Sequence, residues 1–262
     1  MRVLIVTAVP AERDAVVRGI GATAPEVAEL PVPGGTIHRL SPVPPTGPPL
    51  TVDVLAAGVG PAAAAAGAAA ALTAAAVART PYDLAVSAGI GGGFTTAHPN
   101  ATAQPAPARL GSIVVADAIV AADLGAETPD GFAAVTDLGF GTVEHLPPAP
   151  LVAAVAEATD AVRGTVLTVS TVTGSAERAA ELLRRHPQAA AEAMEGFGVA
   201  EAAAAQSVPA LEVRAISNAV GPRDRAAWRI GEALAALTGA FGTITPLLGT
   251  WTWTLDPEGT RQ

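Results

Sequence analysis

The sequence predicts an α/β domain with a largely parallel or mixed sheet and helices on both faces. Three observations point there. Apolar runs of strand length, such as "RVLIVTAV" near the N-terminus, recur along the chain, and continuous runs of this kind suit strands covered on both faces. Helical stretches alternate with them along most of the sequence. Half of the 262 residues are hydrophobic, enough for a large core. Neither a linker nor a repeat period interrupts residues 1–262, which are expected to form one domain.

The elements follow in order. "RVLIVTAV" is a strand. "PAERDAVVRGI" is a helix with Pro10 at its start and Glu12 in its first turn. "SPVPPTGPP" is a proline-rich loop. "LTVDVLAAGVG" is a strand ending in Gly58 and Gly60, after which Pro61 opens an alanine-rich helix reaching Ala78. "YDLAVSAGIGGGF" reads as a buried strand running into a glycine-rich turn, and "HPNATAQPAPARL" as a loop. "GSIVVADAIVAAD" is strand-like, and residues 123–150 look irregular. "PLVAAVAEATDAV" is a helix, "RGTVLTVSTVTG" a strand, and "SAERAAELLRRH" a helix capped by Ser175. "AAAEAMEGFGVAEAAAAQSV" is a strand end followed by a helix. "ALEVRAISNAV" is a strand, and "RAAWRIGEALAALTGAFGTITPLL" a long C-terminal helix. The tail "GTWTWTLDPEGTRQ" frays or packs on a neighbour.

Composition excludes several classes of function. A net charge of −9 argues against nucleic acid as a partner, because phosphate binding needs a basic face. The absence of cysteine removes disulfides, thiolate metal sites and a thiol nucleophile. His38, His98, His145 and His186 are far apart and lack metal-ligand spacing, so no metal is expected. "AAGVGPAAAAAG" and "SAGIGGG" fit neither the Walker pattern nor a dinucleotide fingerprint, and no cofactor is expected. The N-terminus is not a secretory signal, and an alanine run partitions poorly into lipid. A cytoplasmic protein with no membrane span is expected.

Ligands in such folds bind at the carboxyl ends of strands. Chemistry is therefore sought in the turns after Val9, Val59, Ile90, Thr173, Glu195 and Asn218. The glycine segments read as tight turns or as backbone approaching a small ligand closely. Glu12 and Glu195 each read as a charge suited to a helix N-terminus. Alternatively each is a carboxylate in a cleft, and one carboxylate can accept from two vicinal hydroxyls at once. No convincing Ser-His-Asp order is present.

"VTAVPAE", "SAGIGGGF", "LGSIVVAD", "AMEGFGVA" and "VRAISN" occur in an order and spacing that resemble the nucleoside phosphorylase and nucleosidase superfamily, nearly end to end. The resemblance implies a three-layer α/β/α sandwich around a mixed, partly barrel-like sheet. It also implies hydrolysis of an N-glycosidic bond through an oxocarbenium-like transition state. The variant "ISNAVGPRDRAAW" is most similar to the futalosine hydrolases, which serve menaquinone biosynthesis and release hypoxanthine from futalosine.

By that resemblance Glu12 activates the water, Glu195 holds the 2′- and 3′-hydroxyls, and Met194 packs on the sugar. Ile90 and Gly91 belong to the substrate site, Ile90 standing where relatives have serine. Ser217 and Arg214 flank the base, Arg214 in a structural pairing role. Val172 and Thr173 fall where the family places a stacking aromatic and a backbone group that reads the base. The aromatic is absent, so Phe197 or Trp228 is expected to stack. Phe132 and its surroundings, residues 117–140, are candidates for contact with the carboxyphenyl tail. The family is usually oligomeric, so a homo-oligomer is expected.

Asn218 departs from the aspartate of adenine-cleaving relatives. An ionised carboxylate only accepts hydrogen bonds, whereas an amide offers one acceptor and one donor, matching a protonated N7 beside a 6-oxo oxygen. Alternatively Asn218 caps a turn. An amide cannot donate a proton as an acid, which makes Asp224 a candidate donor. Arg223 and Arg225 either pair with Asp224 or bind the substrate's carboxylate. The alternatives to futalosine hydrolysis are an adenine-releasing methylthioadenosine/S-adenosylhomocysteine-type nucleosidase and a purine nucleoside phosphorylase. The glycine turn lacks the arginine and hydroxyl donors of a phosphate site, which favours water.

Overall fold

The computed structural model describes residues 1–21, 26–42, 49–95 and 106–252. Most of the proline-rich loop, most of the loop before Leu110 and most of the C-terminal tail lie outside the described residues.

The chain opens with β1 (Arg2–Thr7), α1 (Pro10–Gly21), β2 (Val27–Val32), β3 (Gly35–Leu40), β4 (Thr51–Ala56), α2 (Pro61–Val77) and β5 (Leu84–Gly93). It continues through β6 (Ile113–Ala121), a small hairpin of β7 (Gly125–Thr128) and β8 (Gly131–Ala134), β9 (Glu144–His145), α3 (Ala149–Thr159) and β10 (Val162–Thr168). α4 (Ala176–Arg185), β11 (Ala189–Ala193), α5 (Gly196–Ala204), β12 (Ala210–Ala219) and α6 (Ile230–Thr250) complete it.

The main sheet runs β11-β10-β6-β12-β5-β1-β4-β3-β2, and β11 also pairs back onto β5. That last pairing closes β5, β12, β6, β10 and β11 into a five-stranded barrel, while β1 to β4 extend from it as an open sheet. Parallel and antiparallel pairs are mixed: β12 runs parallel to β5 and antiparallel to β6. The mixed, barrel-like sheet is the one the sequence resemblance implied.

Alternation along β1 sorts its side chains to two faces. Val3 and Ile5 join α1, α3 and α6 in a core with Val16, Ile20, Leu151, Leu237 and Phe241. Leu4 and Val6 join α2 and α5 with Ala64, Leu72, Val199 and Ala203. By length and composition α6 could cross a membrane, but it packs into the first core through Ala233, Leu237, Phe241, Ile244 and Leu248.

Four features differ from the sequence expectation. β2 and β3 form an unforeseen hairpin at the sheet edge, where Pro31 is tolerated because an edge strand has one side without a ladder. Residues 123–150, read as irregular, contain the β7–β8 hairpin. The last helix begins at Ile230 rather than near Arg225. Arg225–Ala227 is a single 3₁₀ turn, and the Arg229 N–H bonds the Ser217 carbonyl at 2.7 Å, tying the chain to β12 before α6 starts. Finally, the glycines of "SAGIGGG" do not form a turn. They continue β5, and none has a positive φ. Close packing explains them: a Cβ on Gly89 would lie 2.6 Å from Glu12 Oε1, and one on Gly93 2.3 Å from the Ala108 carbonyl oxygen.

Candidate active site

A cavity of about 390 Å³ opens at the carboxyl ends of β1, β5, β11 and β12. Glu12, Ile90, Gly91, Val172, Thr173, Met194, Glu195, Ser217, Asn218 and Trp228 all line it. The sequence-expected residues from five separate segments thus converge on one space.

Glu12 sits in the first turn of α1 and is 4 % exposed. Three backbone N–H groups hold its carboxylate. Ala8 and Val9 donate to Oε2 at 3.0 and 3.3 Å, and Ile90 donates to Oε1 at 2.9 Å. A carboxylate offers about four lone pairs, so one remains, on Oε1. Burial pushes the carboxyl above its ordinary range, partly offset by Arg214 and the Ile90 N–H, while Glu195 adds to the rise.

Glu195 precedes α5 but does not cap it. Its carboxylate turns to Gly60 N–H on Oε1 (3.1 Å), and to Met194 N–H (3.3 Å) and Arg214 Nη1 (3.2 Å) on Oε2. The Phe197 N–H that a cap would satisfy donates instead to the Thr168 hydroxyl at 2.9 Å. Gly60 can present its N–H because the turn before α2 takes φ 108° at Gly58 and 95° at Gly60, values suited to glycine. One Glu195 lone pair is free for a hydroxyl, and a second hydroxyl must displace the long Met194 contact.

Arg214 is fully buried and does not line the cavity, so it does not flank a base there as expected; it lies behind the wall in ion pairs. Its Nε bonds Glu212 Oε1 at 2.8 Å and its Nη2 donates to the Ser87 hydroxyl at 2.8 Å. Glu212 has no exposure, and its Oε2 finds no partner. Burial pushes this carboxyl up to about 6 despite Arg214 beside it. The carboxylate lies against Gly196, where a Cβ would sit 2.0 Å from Oε2. That explains the glycine directly after Glu195.

Asn218 reaches the cavity through an irregularity. The register between β12 and β5 shifts between Ile216 and Asn218, a bulge of the kind that re-aims side chains beside active sites. Its Oδ1 accepts from the Ser217 hydroxyl at 2.9 Å, and its Nδ2 donates to the Ala219 carbonyl at 3.0 Å. The amide keeps one lone pair and one N–H for a ligand.

Three more expected residues are not brought to the cavity. Phe197 is buried against His145, with ring centroids 5.2 Å apart, so of the two candidate stacking rings only Trp228 faces the space. Asp224 is exposed and accepts from the Ala226 N–H at 3.1 Å, capping the 3₁₀ turn, which leaves it badly placed to protonate a base in the cavity. Phe132 lies under Arg185, 4.3 Å from guanidinium carbon to ring centroid, and no residue of 117–140 lines the cavity. Arg223 and Arg225 flank the Trp228 ring at 5.6 and 5.7 Å, in place of the expected pairing with Asp224. Arg223 lines the cavity.

Sequence reasoning missed Glu192. It lies on β11, is 5 % exposed and lines the cavity. Thr173 N–H donates to its Oε1 at 2.8 Å, and the Thr173 hydroxyl to its Oε2. Burial raises this carboxyl, partly offset by the two Thr173 bonds. A signal was available: a charge inside the strand "AAAEA", otherwise all alanine and buried, needs a reason. Among the described residues no three His, Asp or Glu side chains cluster as metal ligands.

The phosphorylase superfamily model matches residues 2–242 of the chain. The chain is 65% identical over 251 residues to a futalosine hydrolase of Streptomyces coelicolor, covering 96% of this chain and 98% of that protein. It is 43% identical over 249 residues to a futalosine hydrolase of Acidothermus cellulolyticus, covering 92% and 89%. Its fold is similar to that of a 5′-methylthioadenosine/S-adenosylhomocysteine nucleosidase from Neisseria meningitidis solved with methylthio-immucillin-A. The TM-score is 0.72 at 16% identity, over 94% of this chain and 99% of that one. With a barrel-closed mixed sheet, a cavity at its strand ends and these relatives over nearly its whole length, the chain belongs to the phosphorylase superfamily, in the futalosine hydrolase family.

Proposed function

We propose that this chain hydrolyses the N-glycosidic bond of futalosine, releasing hypoxanthine. The observation that carries the reading is the 65% identity with a futalosine hydrolase across 96% of the chain. The cavity supports it with a chemistry for each part of the substrate. Glu12 accepts a proton from water through its remaining Oε1 lone pair, and a carboxyl raised by burial suits a base working near neutral pH. Glu195 holds the ribose hydroxyls, with Met194 beside the sugar. Trp228 covers the base. The free lone pair and N–H of Asn218 match a protonated N7 and a 6-oxo oxygen. In this reading Asp224 takes no part, and a water protonates the leaving base.

Water as nucleophile is supported by the charge of the lining. Among the described residues its one basic side chain is Arg223, and Glu12 faces the space where phosphate would attack. The product then enters menaquinone biosynthesis in the cytoplasm, and the enzyme works as a homo-oligomer. The test is hypoxanthine release from futalosine with and without phosphate, beside methylthioadenosine under the same conditions. We expect cleavage independent of phosphate and a preference for futalosine. Strict phosphate dependence, or faster cleavage of methylthioadenosine, overturns the reading.

A further inference from the structure

We infer that Glu192 is a specificity-determining residue: its carboxylate accepts the N1–H of a 6-oxopurine base that lies between it and Asn218. The inference rests on the base being a 6-oxopurine, as proposed above.

The placement comes from strand pairing. Gly92 of β5 pairs with Glu192 of β11 on one side and with Asn218 of β12 on the other. Residues directly opposite on neighbouring strands present their side chains to the same face. Gly92 contributes none; a Cβ there would lie 2.9 Å from Val220 Cγ2, which flanks the space, and 3.2 Å from Asn218 Nδ2. The result is a slot floored by Gly92, with an amide at one end and a carboxylate at the other. Because the barrel curves, the two strands stand closer than two flat strand spacings, under about 10 Å. All three residues line the same cavity.

The chemistry fits one class of base. Along its edge a 6-oxopurine presents N7, the 6-oxo oxygen and N1–H. A 6-aminopurine presents N7, an amino group and a bare N1. At N1 the two are opposite: the oxo base donates and the amino base accepts. An ionised carboxylate only accepts, so it completes the first and faces a lone pair on the second. Thr173 uses two of Glu192's four lone pairs and fixes its orientation, leaving two. No salt bridge joins Glu192 to a cation among the described residues; Arg178 acts on its charge only from a distance, and the direct partner of the carboxylate is Thr173.

The experiment compares binding of hypoxanthine, 1-deazahypoxanthine (C–H in place of N1–H) and adenine to the wild type and to Glu192→Gln, beside futalosine turnover. Wild type should bind hypoxanthine at least about tenfold more tightly than the deaza analogue, the effect of one unpaired buried group. In Glu192→Gln the Thr173 N–H holds the amide oxygen, the Thr173 hydroxyl turns to accept one N–H of the amide nitrogen, and the other N–H faces the base, so the preference for hypoxanthine over adenine should fall at least about tenfold. Equal wild-type binding of hypoxanthine and its deaza analogue overturns the inference whether or not the variant folds. An equal loss for both bases in Glu192→Gln also overturns it, leaving Glu192 as a fastener of the Thr173 segment. If wild type neither binds hypoxanthine nor cleaves futalosine, the proposed function falls and this inference with it. Futalosine cleavage with an unchanged base preference in the variant overturns this inference alone.

Discussion

Two buried charge clusters in this molecule are built with opposite balances. At Asp53, on β4, one fully buried carboxylate serves three donors: Arg2 at 3.0 Å, Arg39 through both oxygens at 2.7 Å, and the Tyr82 hydroxyl at 2.6 Å. At Arg214, on β12, one fully buried guanidinium serves Glu212 at 2.8 Å and Glu195 at 3.2 Å, and feels the charge of Glu12 as well. The first cluster has donors to spare. Its tyrosine is pushed up by burial and by Asp53, so it stays protonated. The second has acceptors to spare, and burial raises the Glu12 carboxyl above its ordinary range and pushes Glu212 up to about 6. Surplus donors make a closed structural knot, whereas surplus carboxyl groups leave oxygen lone pairs without a partner, at Glu212 Oε2 behind the wall and on Glu12 and Glu195 beside the cavity.

The largest expected effect separates these roles directly. Glu12→Gln should lower kcat for futalosine by about 10²- to 10⁴-fold, the usual contribution of a positioned base, while hypoxanthine binding stays within about threefold. Steady-state kinetics beside calorimetric titration of hypoxanthine checks this. A parallel loss of both would make Glu12 a fastener like Asp53. Next in size, Asp53→Asn should lower the unfolding free energy by about 1.5–3 kcal/mol, because charge-assisted hydrogen bonds are weakened. Urea unfolding measures that loss, and kcat/KM at 25 °C should not change. A change in kcat/KM would show that the two clusters are coupled.

The smallest effect reads the surplus itself. Glu212 is pushed from an ordinary 4.5 up to about 6, so the folded protein holds this proton more tightly than the unfolded chain. The associated stability is full below about pH 4.5 and is lost as pH rises through about 6, a change of about 2 kcal/mol. Thermal unfolding of Glu212→Gln should be flatter than wild type across that window. Equal slopes would place the surplus proton on another carboxyl group.

The alternation of apolar strands and helices was legible because burial on both faces leaves little choice of residue. The Arg214 pairing and the convergence of Glu12, Glu195 and Asn218 followed from motif order. What was not legible depends on close approach in space. The glycines of β5 looked like a turn because composition does not distinguish a residue that needs positive φ from one that needs an absent side chain; only the neighbours at Gly89 and Gly93 decide. Pro31 hid an edge strand for the same reason, since position in the sheet sets whether a missing N–H matters. Asp224 and Phe197 are near their expected partners in sequence, but a cap and a packing contact with His145 claim them first. Glu192 lay in plain view, overshadowed by the "MEG" beside it.

The meeting of α5 with α2 carries a last consequence. A Cβ on Gly198 would lie 2.1 Å from the Pro61 carbonyl, so the two helix starts touch backbone to backbone with no side chain between them. One start carries Gly60 N–H and the other Glu195, which bond each other at 3.1 Å. The separation of the helices therefore acts as a gauge block for the Glu195 carboxylate, proposed above to hold the sugar. A lineage can shift Glu195 against the cavity by thickening that spacer, at a glycine outside the cavity lining, without altering a residue that lines it.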